Sequence, residues 1–274
     1  MIFYNNHIEK KMTEKLPVLE PARLDIENIS INYDSLKAIE DLSFSVNHGQ
    51  RVAVIGPNGA GKSTLFKALI GLLPLESGKI FIHGRPLGHH FDCVAFIPQR
   101  EEVDWMFPVT VRDVVQMGRF KSTPRFKRYS KHDDEIVLES MVQMDILELA
   151  KRPIDNLSGG QQQRVFIARA LTQKPHILLM DEPFNGVDVF TQEIIWNLLD
   201  KLKQDMVTVM IATHDLNLAS LKFDSVMLLN KKMISYGLPS EVFTQDNLRA
   251  AFGNQVIFIG NTAIVDQCCP KDIK

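Results

Sequence analysis

Cysteine is scarce in this chain. Only Cys93, Cys268 and Cys269 occur in 274 residues, an odd count with no framework spacing. That excludes a disulfide-stapled secreted scaffold and fits a reducing compartment. Long apolar runs are missing too: no stretch approaches the ~20 apolar residues that a membrane span needs. The opening MIFYNNHIEKKMTEKLP has charges but no apolar run behind them, so it does not read as a secretion signal. Nor is there charge of one sign. Thirty-one basic residues against 33 acidic ones leave a net charge of −2 and a pI near 6.5, with no global pull toward nucleic acid or an anionic membrane. Repeats and low-complexity segments are absent. What is present, 45% hydrophobic and 23% charged residues, can bury a substantial core in one large domain or two lobes.

The first 20 or so residues are polar and hold Pro17 and Pro21, so residues 1–21 are expected to be a flexible tail. From Leu24, LDIENISINY alternates apolar and polar residues. LSFSVNHGQRVAVIG alternates again before the continuous run Val52 to Ile55. An amphipathic strand pair feeding a buried strand is the expected reading. Leu65, Leu69 and Leu72 then fall at helical spacing, and the stretch is expected to stop around Gly71 to Pro74. KIFIHG and CVAFIP follow as short strands, and residues 101–157 read as a helical insertion. A helix is expected over 160–172, a strand at ILLM (177–180), a helix over 191–204 and a buried strand at VTVMIAT (207–213). Pro239 to Phe252 resembles a terminal helix, and VIFIG with NTAIVDQ a last strand pair.

Between strand and helix lies Gly56, Pro57, Asn58, Gly59, Ala60, Gly61, Lys62, Ser63 and Thr64. The spacing Gly-x4-Gly-Lys-Ser after a strand matches the P-loop. Its backbone amides suit a phosphate chain, Lys62 the β- and γ-phosphates, and the Ser63 hydroxyl Mg²⁺. ATP and Mg²⁺ are thus the expected cofactors. The apolar ILLM strand ends on Asp181 and Glu182, a carboxylate to hold the metal and a second to act as general base. A further glycine turn, LSGGQ, occupies 157–161 and opens another helix.

These motifs, in this order, identify the chain as resembling an ABC-type ATPase, the nucleotide-binding subunit of ATP-binding-cassette transporters, from about Leu24 to Gly237. The resemblance implies an α/β P-loop NTPase with a RecA-like core, an antiparallel β subdomain and the helical subdomain, in a cassette over 22–237 with a C-terminal extension at 238–274. It implies that Tyr33 stacks on adenine, although a tyrosine at a strand end also serves packing. It assigns Gln99 to Mg²⁺ and the attacking water, and Ser158, Gly159, Gly160 and Gln161 to the signature. Asp188 is assigned to the D-loop and His214 to the γ-phosphate. The D-loop departs from the usual Ser-Ala-Leu-Asp, reading Asn185-Gly186-Val187-Asp188. By the same resemblance, the signature of one subunit closes on the ATP of a second copy, so a head-to-tail homodimer is expected.

PQREEVDWMFPVTVRDVVQMGR, residues 98–119, is similar to the ATPases of manganese, zinc and iron importers. Such a subunit is peripheral to the cytoplasmic face of the plasma membrane, pairs with an integral-membrane permease and depends indirectly on an extracytoplasmic metal-binding protein. Trp105, Met106, Phe107 and Val109 either receive the permease or pack the insertion's own core. Iron-chelate and cobalamin importers are alternatives, and so is a soluble ABC ATPase acting on DNA or ribosomes, although nucleic acid is not the expected partner. The basic run Arg119, Lys121, Arg125, Lys127, Arg128 and Lys131 suits a solvated face or, less readily, a membrane or nucleic-acid surface. His89–His90 and Cys268–Cys269 lack a recognised metal-ligand spacing.

Overall fold

The computed structural model describes residues 24–33, 36–88, 93–100, 108–120 and 129–253, together with the strand backbones at 256–259 and 262–265. The expected tail at 1–21, His89, His90, Trp105 to Phe107, most of the basic run, Cys268 and Cys269 lie outside the described residues.

The chain opens with β1 (Leu24–Tyr33), β2 (Leu36–Val46), β3 (Arg51–Ile55) and α1 (Lys62–Leu69). It continues through β4 (Ser77–Ile82), β5 (Arg85–Pro86) and β6 (Val94–Ile97). The insertion holds α2 (Val111–Met117) and α3 (Lys131–Gln143). After α4 (Gly159–Leu171) come β7 (Ile177–Asp181), α5 (Val189–Gln204), β8 (Thr208–Thr213) and α6 (Leu216–Lys222). The last described elements are β9 (Ser225–Asn230), β10 (Lys232–Gly237), α7 (Pro239–Val242), α8 (Gln245–Phe252), β11 (Val256–Ile259) and β12 (Thr262–Val265). β2-β1-β4-β5 form an antiparallel four-stranded sheet. The six-stranded sheet has the order β10-β9-β3-β8-β7-β6, parallel apart from β10. This is the expected α/β cassette architecture.

Side chains that alternate along a strand point to opposite faces, and the core strands are apolar on both. Val52, Val54, Leu179, Met210 and Ala212 pack with Leu65, Phe66 and Leu69 of α1 and with the antiparallel sheet. Ala53, Ile55, Leu178, Met180 and Ile211 pack instead with Val165 and Ile167 of α4, Ile195 and Leu199 of α5, and the insertion. The P-loop helix therefore lies on one face of the core sheet and the signature helix on the other.

The described part of the insertion holds α2 and α3. Thr110 with Asp113 and Ser130 with Asp133 form capping boxes at α2 and α3. Arg119 ties the two together, its Nε 2.9 Å from Asp133 Oδ1. Leu72, although at helical spacing, stands 66% exposed beyond α1. Gly71 adopts φ 73°, its N–H donates to Ala68 O and that of Leu72 donates to Lys67 O, a Schellman closure that ends the apolar stripe at Leu69. The terminal helix is two helices. Thr244 caps α8 through Asn247 N–H, and Val242, Leu248, Ala251 and Phe252 enter the same core as α4 and α5.

Phe66 is fully buried between the two sheets, edge-on to Phe96 with ring centroids 6.3 Å apart. Phe66→Ala should cost about 3–5 kcal/mol through lost burial and the cavity left behind. Urea denaturation followed by circular dichroism checks this, and an unchanged midpoint would contradict it.

Candidate active site

In a parallel sheet the strands' carboxyl ends share one edge, and ligands bind just beyond it. Here Ile55 lies opposite Thr213, Asp181 opposite Ala212, and Ile97 opposite Met180. The next residues along these strands are Gly56, His214 and Glu182, with Gln99 two beyond Ile97. Four sequence-distant segments thus converge. Gln99 is half-buried immediately after β6, and Asp181 is 1% exposed at the last position of β7.

The P-loop requires glycine for reasons visible in its geometry. A Cβ on Gly56 would lie 2.0 Å from Leu229 O, so no larger residue fits. Gly61, at φ 100°, caps α1, and a Cβ there would meet Ala38 O at 2.8 Å. The rim is held from behind: Ala60 O accepts from Lys231 N–H, whose own carbonyl accepts from Glu40 N–H, both at 2.8 Å. Ser63 and Thr64 are half-buried beside the buried Lys62 in the first turn of α1, while Asn58 and Gly59 are exposed.

Lys62 Nζ donates to Gly56 O at 2.8 Å and Pro57 O at 3.2 Å, folding the ammonium over the loop. Burial lowers its pKa, opposed by the charges of Glu182 and Asp181. Burial likewise raises the pKa of Glu182, opposed by His214, Lys62 and the hydrogen bond from His214. Both groups are drawn toward neutrality because desolvation outweighs their attraction. Glu182 Oε2 lies 2.9 Å from His214 Nδ1, on a backbone of φ 48° pinned by its N–H to Ala212 O. A raised carboxyl pKa is the property a general base needs when it must take up a proton near neutral pH.

The signature residues stand apart from this cluster. Ser158 caps α4 in a reciprocal box with Gln161, its backbone N–H reaching Gln161 Oε1 at 3.0 Å and its Oγ accepting from Gln161 N–H. A Cβ on Gly160 would lie 2.4 Å from Asp188 Oδ2 and 2.6 Å from Thr191 Oγ1, so glycine here leaves room for the D-loop side chains against α4. Asp188 caps α5 by accepting from Thr191 N–H at 2.8 Å, the main cause of its lowered pKa. Gly186 takes φ 64°, a turn the altered D-loop sequence allows. Tyr33 is 44% exposed at the end of β1, outside the core.

Sequence reasoning missed Arg100 and Gln162. Arg100 Nε and Nη2 both donate to Gln162 Oε1, at 3.1 and 2.9 Å, and Arg100 Nη1 would be 2.8 Å from a Cβ on Gly159. The residue after Gln99 thus clasps the signature helix. Only the adjacency of each to a recognised motif hinted at it.

The donor set suits Mg²⁺ and a polyphosphate. The Ser63 hydroxyl, Asp181 carboxylate and Gln99 amide oxygen are hard donors, and at Gly56 and Gly61 the loop has no room for a Cβ. Fold and site together define a P-loop ATPase. The chain belongs to the ABC transporter family, whose model matches residues 39–185. The manganese transport system ATP-binding protein of Halalkalibacterium halodurans is 42% identical over 85% of this chain and 93% of its own length. A zinc transport ATP-binding protein of Treponema pallidum is 41% identical over 85% and 88%, and a chelated iron transport protein of Yersinia pestis 39% over 94% and 88%. Among solved structures, a chain of an inward-facing ABC transporter described as metal-chelate type matches with a TM-score of 0.74 at 33% identity, covering 84% of this chain and 88% of that one.

Because His214 holds the Glu182 pKa down against burial, His214→Gln should raise it further. The carboxylate is then lost at a higher pH as acid is added, so the acid limb of the ATPase profile moves to higher pH. Titration of ¹³C-labelled glutamate in the two proteins checks this, with a downward shift as the contrary result.

Proposed function

We propose that this chain is the ATP-hydrolysing subunit of an ABC importer for a transition-metal ion, namely manganese, zinc or iron. The carrying observation is identity near 40% along most of the chain to ATP-binding proteins named for manganese and zinc transport and to a protein named for chelated iron transport. The metal-chelate type structural neighbour and the chelated iron transport relative favour a second reading, an importer of chelated iron.

In the proposed reaction the P-loop amides and Lys62 bind the ATP phosphates, and Tyr33 stacks on the adenine. Arrival of phosphate charge favours the ammonium form of Lys62 that burial disfavours. Mg²⁺, held by Ser63, Asp181 and Gln99, would neutralise charge on the transferring phosphoryl group. Glu182 orients a water and takes its proton as the oxygen attacks the γ-phosphorus, while the bond to the β–γ bridging oxygen breaks and its electron pair leaves with ADP. His214 holds Glu182 in place and reaches the γ-phosphate.

A second copy completes this site. The P-loop helix and the signature helix lie on opposite faces of one core sheet, which supports a reading in which Ser158 to Gln161 close on the partner copy's nucleotide. A two-fold arrangement makes both composite sites equivalent. A solved ATP-binding cassette with 26% identity and a TM-score of 0.70 is described as dimeric with ADP and phosphate bound. The remaining partners are an integral-membrane permease and, through it, an extracytoplasmic metal-binding protein. No helix among the described residues is long and apolar enough to cross a membrane. The chain then sits peripherally on the cytoplasmic face of the plasma membrane.

Glu182→Gln should bind ATP, accumulate as a dimer by light scattering and hydrolyse about 10²–10⁴-fold more slowly. Near-normal turnover would remove Glu182 from the role of base. The cargo reading is tested by co-purifying the chain with its permease and measuring ATP-dependent uptake of Mn²⁺, Zn²⁺ and Fe²⁺ into vesicles. Failure to associate with any membrane protein, with co-sedimentation on ribosomes or DNA instead, would overturn it.

A further inference from the structure

At the amino-terminal edge of the core sheet, away from the nucleotide residues, three side chains from separate segments meet. His83 occupies the turn between β4 and β5 at φ 54°, followed by Gly84 at φ 70°, the tight hairpin geometry that fixes its position. Cys93 precedes β6, and His176 precedes β7. The parallel pairing of Val94 with Ile177 sets Cys93 beside His176, and His176 N–H donates to Cys93 O at 2.8 Å. His176 O in turn accepts from Thr208 N–H, so the backbone beneath the imidazole is held from both sides.

The donor atoms converge. His83 Nε2 and His176 Nδ1 are 2.9 Å apart with the rings at 84°, and one nitrogen of each imidazole and the Cys93 sulfur all lie within 4.8 Å of one another. A tetrahedral zinc ion needs two imidazole nitrogens about 3.3 Å apart and a sulfur about 3.6 Å from each. Small rotations of side chains on braced backbone reach that arrangement. His83 and Cys93 are half-buried and His176 is exposed, so an ion has a route in and a fourth position open to solvent.

We propose that His83, Cys93 and His176 form a binding site for a zinc-class divalent cation. One thiolate and two neutral imidazoles are borderline-to-soft donors, and on such a set Mn²⁺ binds far more weakly than Zn²⁺ or Co²⁺. Binding takes one proton from the thiol, while the imidazole that donates in the His83–His176 hydrogen bond moves its proton to its other nitrogen. One ligand belongs to the antiparallel sheet and the other two to the core sheet, so the ion clips the two sheets together. The site stands whether or not the chain energises a metal importer.

The test uses the untagged full chain, stripped with chelator and titrated with Zn²⁺ and, separately, Co²⁺. One equivalent of either should bind, with thiolate-to-cobalt absorption in the near ultraviolet. Excess Zn²⁺ should raise the Tm by about 5 °C. Cys93→Ser and the surface change His176→Gln should each weaken Zn²⁺ binding by about 100-fold or more and abolish the Tm rise. Cys268→Ser/Cys269→Ser should change neither, and Mn²⁺ at the same concentration should not displace Co²⁺. Absence of binding, binding that survives Cys93→Ser, or absorption lost on changing Cys268 and Cys269 would each overturn the site. Displacement of Co²⁺ by Mn²⁺ would overturn the metal class.

Discussion

Everything in this chain is arranged around a sheet that must be covered on both faces. The core strands carry apolar side chains at successive positions, so neither face can meet water. One face is covered by α1 and the antiparallel sheet, the other by α4, α5 and the insertion. Function inherits this division, because each of the two glycine turns opens a helix on a different face. The chain has one glycine turn at the strand edge beside Lys62, Asp181 and Glu182, and a second that opens the helix on the opposite face of the sheet.

At the shared strand edge the dominant force is desolvation. Lys62, Asp181 and Glu182 are brought into a dry corner where burial outweighs their mutual attraction for both Lys62 and Glu182. A corner of this kind gains more from incoming phosphate charge than a solvated one would, since electrostatic interactions strengthen as water leaves. The carboxylate beside His214 is held by a hydrogen bond, and its raised pKa keeps it within reach of neutral chemistry.

Most of the architecture was legible because its signals are local. Alternation in LDIENISINY gave β1, and the unbroken Val52 to Ile55 run gave the buried β3. The P-loop was legible because backbone contact restricts its glycines, as Gly56 against the Leu229 carbonyl demonstrates. The stop near Gly71 was legible from the glycine, and the Schellman closure there explains why Leu72, although at helical spacing, stands outside the stripe. Arg100 with Gln162, and His83 with Cys93 and His176, were illegible for a different reason. Each grouping joins residues far apart in sequence, brought together by the register of parallel strands or by the packing of α4, which no local pattern encodes.

The brace behind the P-loop runs further than the loop itself. Ala60 is held by Lys231, the neighbouring Asn230 donates through Nδ2 to Ala251 O, and Ala251 belongs to α8. A continuous line of hydrogen bonds and covalent links therefore joins the nucleotide rim to a helix almost two hundred residues later in the chain. The late helices α7 and α8, packed into the core shared with α4 and α5, thus act as a buttress for the backbone on which the glycine turn rests.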